Sequence, residues 1–286
     1  MPVIGRPNAG KSTLINAMVN ERIALVSQKA GATRKRQNAI VMVGDSQIIF
    51  VDTPGLDDRK SALNLYMQKE TRTAIEGGDL TLFLADICDP VSNYEKFLNT
   101  IKGKPHIAAL TKMDNFTHDR RLEKLAEYQK YSTEFLAIVP ISAKKGDFKP
   151  LLKEIAANLP NHPFYFDPDD LTDTTIREIY KEMIREAVFD NFSDELPYSA
   201  DVKIESFTEK EVIDTIRAVI YVEKSSQKSI VIGKGGAAIK RVGRAARLAM
   251  ERFSGKKVYL ELQVALLDSW SRSSSLLKKF GYGGGD

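Results

Sequence analysis

Apolar and polar positions along this chain keep one rhythm up to about residue 160 and another beyond it. In the first stretch, short apolar runs of strand length recur at Ala39–Val43, Gln47–Asp52, Leu80–Ile87, His106–Thr111 and Phe135–Ile141. Between and after them, apolar residues recur at helical spacing near Leu63–Ile75, Asn93–Ile101, Arg120–Tyr131 and Phe148–Asn158. Gly44-Asp45 separates the first two runs as a hairpin-turn signal. Strands alternating with helices predict an α/β domain with right-handed crossovers and a mostly parallel sheet covered on both faces. The hairpin supplies one antiparallel strand at the edge. Ligands of such sheets bind beyond the carboxyl ends of the strands.

The second rhythm begins after a stretch broken by Pro160, Pro163 and Pro168 and rich in Asp. It reads as an interdomain connection over 160–172, dividing a first domain (1–159) from a second (173–286). Thr172 or Asp173 is expected to cap a helix bearing Ile176, Ile179, Tyr180, Met183, Ala187 and Val188 at its spacing. Tyr198–Phe207 and Val212–Glu223 alternate as two paired strands. Two helices follow, one ending near Ile230–Ile232 and one over Ala237–Phe253, then a strand at Val258–Leu266 and an amphipathic helix at Asp268–Phe280. The order is αββααβ, a smaller α+β domain.

Composition narrows the classes. At 286 residues, with 28% charged and 43% hydrophobic residues, the chain is ordinary for a globular protein of two domains. No stretch approaches the roughly 18 consecutive apolar residues that span a bilayer. A secretory signal is not expected, because a glycine-rich motif begins a few residues in. The lone Cys88 excludes an internal disulfide framework, suits a reducing cytosol, and is expected to pack as a small hydrophobe. His106, His118 and His162 lack metal-ligand spacing. Net charge is only +4 but unevenly spread. Residues 161–224 hold seven Lys+Arg against sixteen Asp+Glu, and residues 225–260 hold nine against one. The basic half is suited to phosphate backbones, or else simply solvates a helix.

The glycine-rich motif is Gly5-Arg6-Pro7-Asn8-Ala9-Gly10-Lys11-Ser12, followed by Thr13. Its spacing is that of a P-loop, in which the backbone N–H groups of residues such as Asn8, Ala9 and Gly10 and a helix N-terminus cradle phosphates. Lys11 is expected on the outer phosphates and Ser12 on Mg²⁺. Asp52-Thr53-Pro54-Gly55 ends a strand, where Asp52 can hold the cation and Gly55 can bring its N–H to the terminal phosphate. Thr111-Lys112-Met113-Asp114 follows another strand. A carboxylate there accepts hydrogen bonds from N1–H and the exocyclic amine of guanine, a donor pair adenine lacks. Lys112 would lay its stem across the base, and Ser142-Ala143-Lys144 would offer a backbone N–H to the guanine carbonyl. The four motifs in this order read as a GTP site.

These ordered motifs resemble the translation-factor-related GTPases, and with the C-terminal half they resemble the Era family of bacterial ribosome-assembly GTPases. The resemblance spans nearly the whole chain and implies GTP and GDP as ligands, Mg²⁺ as cofactor, and a cytoplasmic location with peripheral membrane association open. It identifies Thr33, within Lys29-Ala30-Gly31-Ala32-Thr33-Arg34, as the first-switch ligand of Mg²⁺ and the γ-phosphate. With Lys11 and Gly55, Thr33 completes the expected catalytic set. Three departures stand out. Only Met1–Ile4 precede the first glycine, so the first strand is short or its start trimmed. Thr111 stands where the family has Asn, and its hydroxyl is expected to tie the loop to the P-loop. The first switch lacks its Pro-Gln-Thr lead-in. Leu56 also occupies the position where many GTPases carry a water-orienting Gln, so slow unaided hydrolysis is expected. Asn8 either holds K⁺ near the phosphates, as in relatives with Asn there, or stabilises a loop turn.

The second domain resembles a KH domain. Its Gly233-Lys234-Gly235-Gly236 loop would admit a nucleic-acid backbone, with Ile232 beside it for bases and Lys234 on a phosphate. In the next helix Ile239, Val242, Ala246, Ala249 and Phe253 form the expected buried stripe. Lys240, Arg241, Arg244 and Arg247 form a basic face, with only Glu251 among them. The resemblance implies a GTPase that binds small-subunit ribosomal RNA on the 30S-type subunit during its biogenesis, and a monomer is expected. Two other readings are an RNA-binding protein with a relic nucleotide pocket and a GTPase assisting RNA modification. Intact Lys11, Ser12, Asp52 and Asp114 argue against the first; no catalytic cysteine or cofactor site supports the second.

Overall fold

Eleven elements alternate through the first part of the chain: β1 (Pro2–Gly5), α1 (Lys11–Val19), β2 (Gln37–Val43), β3 (Ser46–Asp52), α2 (Ala62–Gly77), β4 (Thr81–Asp86), α3 (Ser92–Ile101), β5 (His106–Thr111), α4 (His118–Gln129), β6 (Ala137–Pro140) and α5 (Lys149–Asn158). The structure, a computed structural model, describes residues 1–27, 29, 31–55, 61–146 and 148–282. The strands form one sheet in the order β2-β3-β1-β4-β5-β6, parallel except for the antiparallel β2–β3 hairpin at one edge. Alternate residues of β4 explain why both faces must be covered. Leu82 and Leu84 pack with Leu14 and Ile15 of α1 and Leu151 and Ile155 of α5. Phe83 and Ala85 pack with Ile75, Tyr94, Phe97 and Tyr128 of α2, α3 and α4. β1 has four residues and is wholly buried. Gly5 ends it because a Cβ there would lie 2.4 Å from the Leu84 carbonyl oxygen.

The Pro- and Asp-rich stretch is laid along the hairpin and groups with the sheet. Gln47 bonds to Phe166 O through its amide nitrogen (2.8 Å) and accepts from Tyr165 N and Phe166 N through its oxygen. Ile40 N donates to Leu171 O (2.9 Å), and the Thr172 hydroxyl donates to Asn38 O (2.5 Å). The last two bonds occupy backbone groups of β2 that an edge strand would otherwise expose. They also explain why Thr172 does not cap the next helix.

The second unit contains α6 (Ile176–Asn191), α7 (Leu196–Ser199), β7 (Asp201–Thr208), β8 (Ile213–Val222), α8 (Ser225–Ile232), α9 (Ala237–Ser254), β9 (Lys257–Leu266) and α10 (Ser274–Lys279). The described parts of 25–32 and 59–66 group with it as well. The Thr175 hydroxyl caps α6 by accepting from Glu178 N. β7 and β8 are antiparallel, β8 and β9 parallel, in the order β7-β8-β9. Helices α6 and α9 cover one face, where Ile184, Val188, Val202, Ile216, Ile220, Val242, Ala246 and Met250 form the core. The buried line of α9 runs Ala238, Val242, Ala246, Met250; the expected Ile239, Ala249 and Phe253 flank it half-buried. The expected last helix is a short 3-10 turn at Trp270–Arg272 followed by α10, because Trp270 is anchored by donating to Ser199 O (2.8 Å). No helix among the described residues is long and apolar enough to cross a membrane.

Candidate functional site

The loop from β1 to α1 takes its shape from backbone that ordinary side chains resist. Asn8 (φ 67°) and Gly10 (φ 95°) both adopt left-handed conformations. Ala9 is buried, and its N–H donates to Arg6 O (3.2 Å), closing the loop on itself. α1 begins at Lys11 with Ser12 and Thr13 in its first turn. Lys11 is buried and arches over the loop, donating from Nζ to Gly5 O and Arg6 O, each at 3.1 Å. Burial pushes its pKa down, against the nearby Asp52 and Asp89 charges.

Asp52 ends β3 beside this turn. Its Oδ2 accepts from Ser12 Oγ (2.7 Å) and from Thr33 Oγ1 (3.4 Å), and the two hydroxyls lie 3.3 Å apart. Its Oδ1 is buried with no hydrogen-bond partner. Burial pushes the Asp52 carboxyl up, opposed by Lys11 and these hydroxyls. An orphaned carboxylate oxygen beside two convergent hydroxyls fits a hard cation such as Mg²⁺, which keeps few protein ligands and completes its shell with water and phosphate. No cluster of three His, Cys, Asp or Glu exists among the described residues to favour a softer or all-protein site. Thr53 donates its hydroxyl to Val3 O (2.7 Å), fixing the strand end, and Gly55 lies against Pro7, where a Cβ would come within 3.0 Å. Leu56 lies outside the described residues.

Two further loops meet the first. Thr111 Oγ1 donates to Ala9 O (2.9 Å) and lies 3.3 Å from Ala85 O, so the hydroxyl does tie the base-reading loop to the P-loop. Lys112 is left-handed (φ 60°) and its Nζ lies 2.5 Å from Asp86 Oδ2. Asp114 Oδ1 accepts from Ser142 Oγ (2.6 Å), and this bond holds its carboxyl below the usual carboxylate range. Ala143 and Lys144 continue from Ser142 as a short 3-10 turn. Residues 8–13, 33, 52, 55, 111–114 and 142–144 thus gather at the carboxyl ends of β1, β3, β5 and β6. Asp86 and Asp89 were not anticipated. The available signal was a carboxylate near the end of the apolar run Leu80–Ile87. Cys88, expected to pack, is exposed in the turn after β4.

In the second unit, α8 ends at Ile232 and Gly233 breaks it at φ 72°, ψ 172°. Lys234, Gly235 and Gly236 form one 3-10 turn leading into α9. Lys234, Lys240 and Arg244 are exposed and pair with no described residue. Arg241 donates to Asn191 Oδ1 (2.9 Å). Arg247 pairs with Glu251 (3.1 Å), whose carboxylate also accepts from Val258 N. The basic face is therefore divided. Lys240 and Arg244 are open, while Arg241 and Arg247, interleaved with them, bind the domain's own elements.

Two family models match the chain: a 50S ribosome-binding GTPase over residues 1–112 and a KH domain over residues 195–271. GTPase Era of Helicobacter pylori (strain G27) is 50% identical over 286 residues, covering 98% of this chain and 95% of that protein. GTPase Era of Campylobacter hominis is 44% identical, covering 96% of each chain. A solved structure of Era with MgGDPNP and nucleotides 1506–1542 of 16S ribosomal RNA matches with a TM-score of 0.93 at 33% identity, over 98% of this chain and 97% of that one. A variant of Aquifex aeolicus Era bound to GDP and AlF4⁻ matches with the same TM-score, identity and coverage.

Proposed function

The chain belongs to the Era family of GTPases, and from that premise we propose a GTP-dependent switch that binds small-subunit ribosomal RNA and acts, as a monomer, in small-subunit biogenesis. One observation carries the reading: four loops converge at the strand ends, joined by the Thr111–Ala9 and Ser142–Asp114 bonds. The backbone N–H groups of the P-loop and the amino end of α1 receive the phosphates, and Lys11 neutralises the outer two. Ser12, Thr33 and Asp52 would hold Mg²⁺, which would supply positive charge to offset that of the phosphates. Asp114, held in place by the Ser142 hydroxyl, accepts from the two donors of guanine. The Gly55 N–H approaches the terminal phosphate.

Leu56 has no polar group with which to orient water, so unaided turnover is slow. The missing positioning comes from backbone groups, from the ribosome, or from K⁺ held through Asn8. In the second unit the glycines admit the RNA backbone, and Lys234, Lys240 and Arg244 take phosphates. Ile232 and the exposed Ile230 offer apolar surface to unstacked bases. Phosphate release from GTP, measured with and without 30S-type subunits, is expected to be slow alone and faster with subunits. No turnover in either case, with RNA binding intact, would point to a relic pocket instead.

A further inference from the structure

The turn after β4 is held far more firmly than its position outside the sheet requires. Asp86 stands opposite Thr111 in the parallel β4–β5 register. Its Oδ1 accepts from Cys88 N (3.0 Å) and its N–H donates to Asp89 Oδ2 (3.2 Å), while Asp89 N returns a bond to Asp86 O (2.8 Å). Asp89 Oδ1 faces Arg6 of the P-loop at 3.5 Å. From α4, Lys124 reaches in with its Nζ 2.6 Å from Asp89 O, although its side chain is only 4% exposed. The result is a carboxylate fixed in place, with its free oxygen, Oδ2, 2.5 Å from the Lys112 ammonium. We infer that Asp86 is a positioning residue for guanine-nucleotide binding: it tethers the ammonium of Lys112 so that the lysine's four-carbon stem is held stretched across the base.

The physical argument is rotameric. A lysine with 41% of its side chain exposed samples many conformers, and ordering it costs free energy at the moment the base binds. A fixed counter-charge at the far end restricts the stem beforehand, so less is lost on binding. The inference rests on the base-reading role of Thr111–Asp114 proposed above. It is tested by GDP affinity and off-rate in Asp86→Asn, Lys112→Met and the double variant. Asn keeps an oxygen for Cys88 N but loses the charge, and Met keeps most of the stem but loses the ammonium. Each single change is expected to weaken GDP binding about five- to tenfold, mainly through a faster off-rate, with thermal stability little changed. The double variant should be no weaker than either single one, because both remove the same tether. Additive losses, or wild-type affinity in Lys112→Met, overturn the inference even if Asp86→Asn folds poorly. Asp114→Asn serves as the control. If it shifts base preference while Lys112→Met binds normally, the tether fails alone; if it does not, the base-pocket reading fails with it.

Discussion

At the scale of the residue, the carboxylate of Asp114 reads guanine, and the Ser142 hydroxyl fixes one of its oxygens and holds its carboxyl below the usual carboxylate range. Asp114→Asn presents an amide whose N–H₂ suits the second carbonyl of xanthine. Competition binding is expected to show preference moving from guanosine to xanthosine nucleotides by on the order of a hundredfold; retained guanosine preference would contradict the base assignment. A second residue gives a pH signature. His106 is buried, with Nε2 2.7 Å from the Tyr94 hydroxyl and Nδ1 3.3 Å from Lys104 O, and burial holds its pKa below the ordinary 6.5. This pattern suits the neutral ring, with Nδ1–H donating and Nε2 accepting. Below pH 6.5 the unfolded chain takes up a proton that the folded chain refuses, so stability falls with pH down to the folded pKa, by at most about 1.4 kcal/mol per pH unit. Thermal melts from pH 7 to 5.5 should fall less steeply in His106→Gln, which keeps an acceptor for Tyr94. Residues such as Lys11 and Asp52 were legible because their chemistry follows from spacing within one turn. Asp86 was not, because its surroundings depend on the register between β4 and β5, and Cys88 was not, because the apolar run before it ends in a turn that leaves it exposed.

At the scale of the element, α9 separates structural from ligand-facing positions more finely than its sequence suggests. Ala238, Val242, Ala246 and Met250 face the core four residues apart. The helical period alone could equally place Ile239 and Phe253 there, since larger apolar groups attract the assignment. The cap of α6 differs from expectation for a similar reason: Thr172, Asp173 and Thr175 are all competent caps, but the Thr172 hydroxyl donates to Asn38 O and Asp173 accepts from Asn38 Nδ2, which leaves Thr175. The basic face divides in the same way. Lys240→Ala and Arg244→Ala should leave the melting temperature unchanged and each lower the slope of log K against log salt by roughly 0.7 in single-stranded RNA titrations. Arg247→Ala should instead lower the melting temperature slightly, because its partner Glu251 also anchors β9 through Val258 N. An equal salt-slope loss in all three would mean that the Arg247 pair opens to RNA. The glycine turn separates likewise. A Cβ on Gly233 would lie 2.7 Å from Ala238 Cβ and 2.9 Å from its backbone N, whereas one on Gly235 (φ 58°) would meet nothing within 4 Å. Gly233→Ala is expected to cost about 2 kcal/mol or more in denaturant melts, and Gly235→Ala about 1 kcal/mol from its left-handed backbone alone.

At the scale of the whole molecule, every residue assigned to the nucleotide lies in the first unit and every residue assigned to RNA in the second. That partition makes the two activities separable by mutation. Lys234→Asp with Gly235→Asp places two carboxylates on the turn where a phosphate backbone must approach, and it removes the exposed Lys234 charge. Neither side chain contributes to the core, and the site at Gly235 is open. The double variant should therefore fold, with a modest loss from the strained backbone at position 235. A labelled single-stranded RNA should lose detectable binding, while GTP affinity stays within about twofold of wild type, since no nucleotide contact has changed. Circular dichroism supplies the folding control. If the variant loses RNA affinity only in proportion to an unfolded fraction, the turn is a structural hinge between α8 and α9. If the folded variant binds RNA as tightly as wild type, the RNA face lies elsewhere on the second unit. The charge contrast between residues 161–224 and 225–260 would then serve solubility alone.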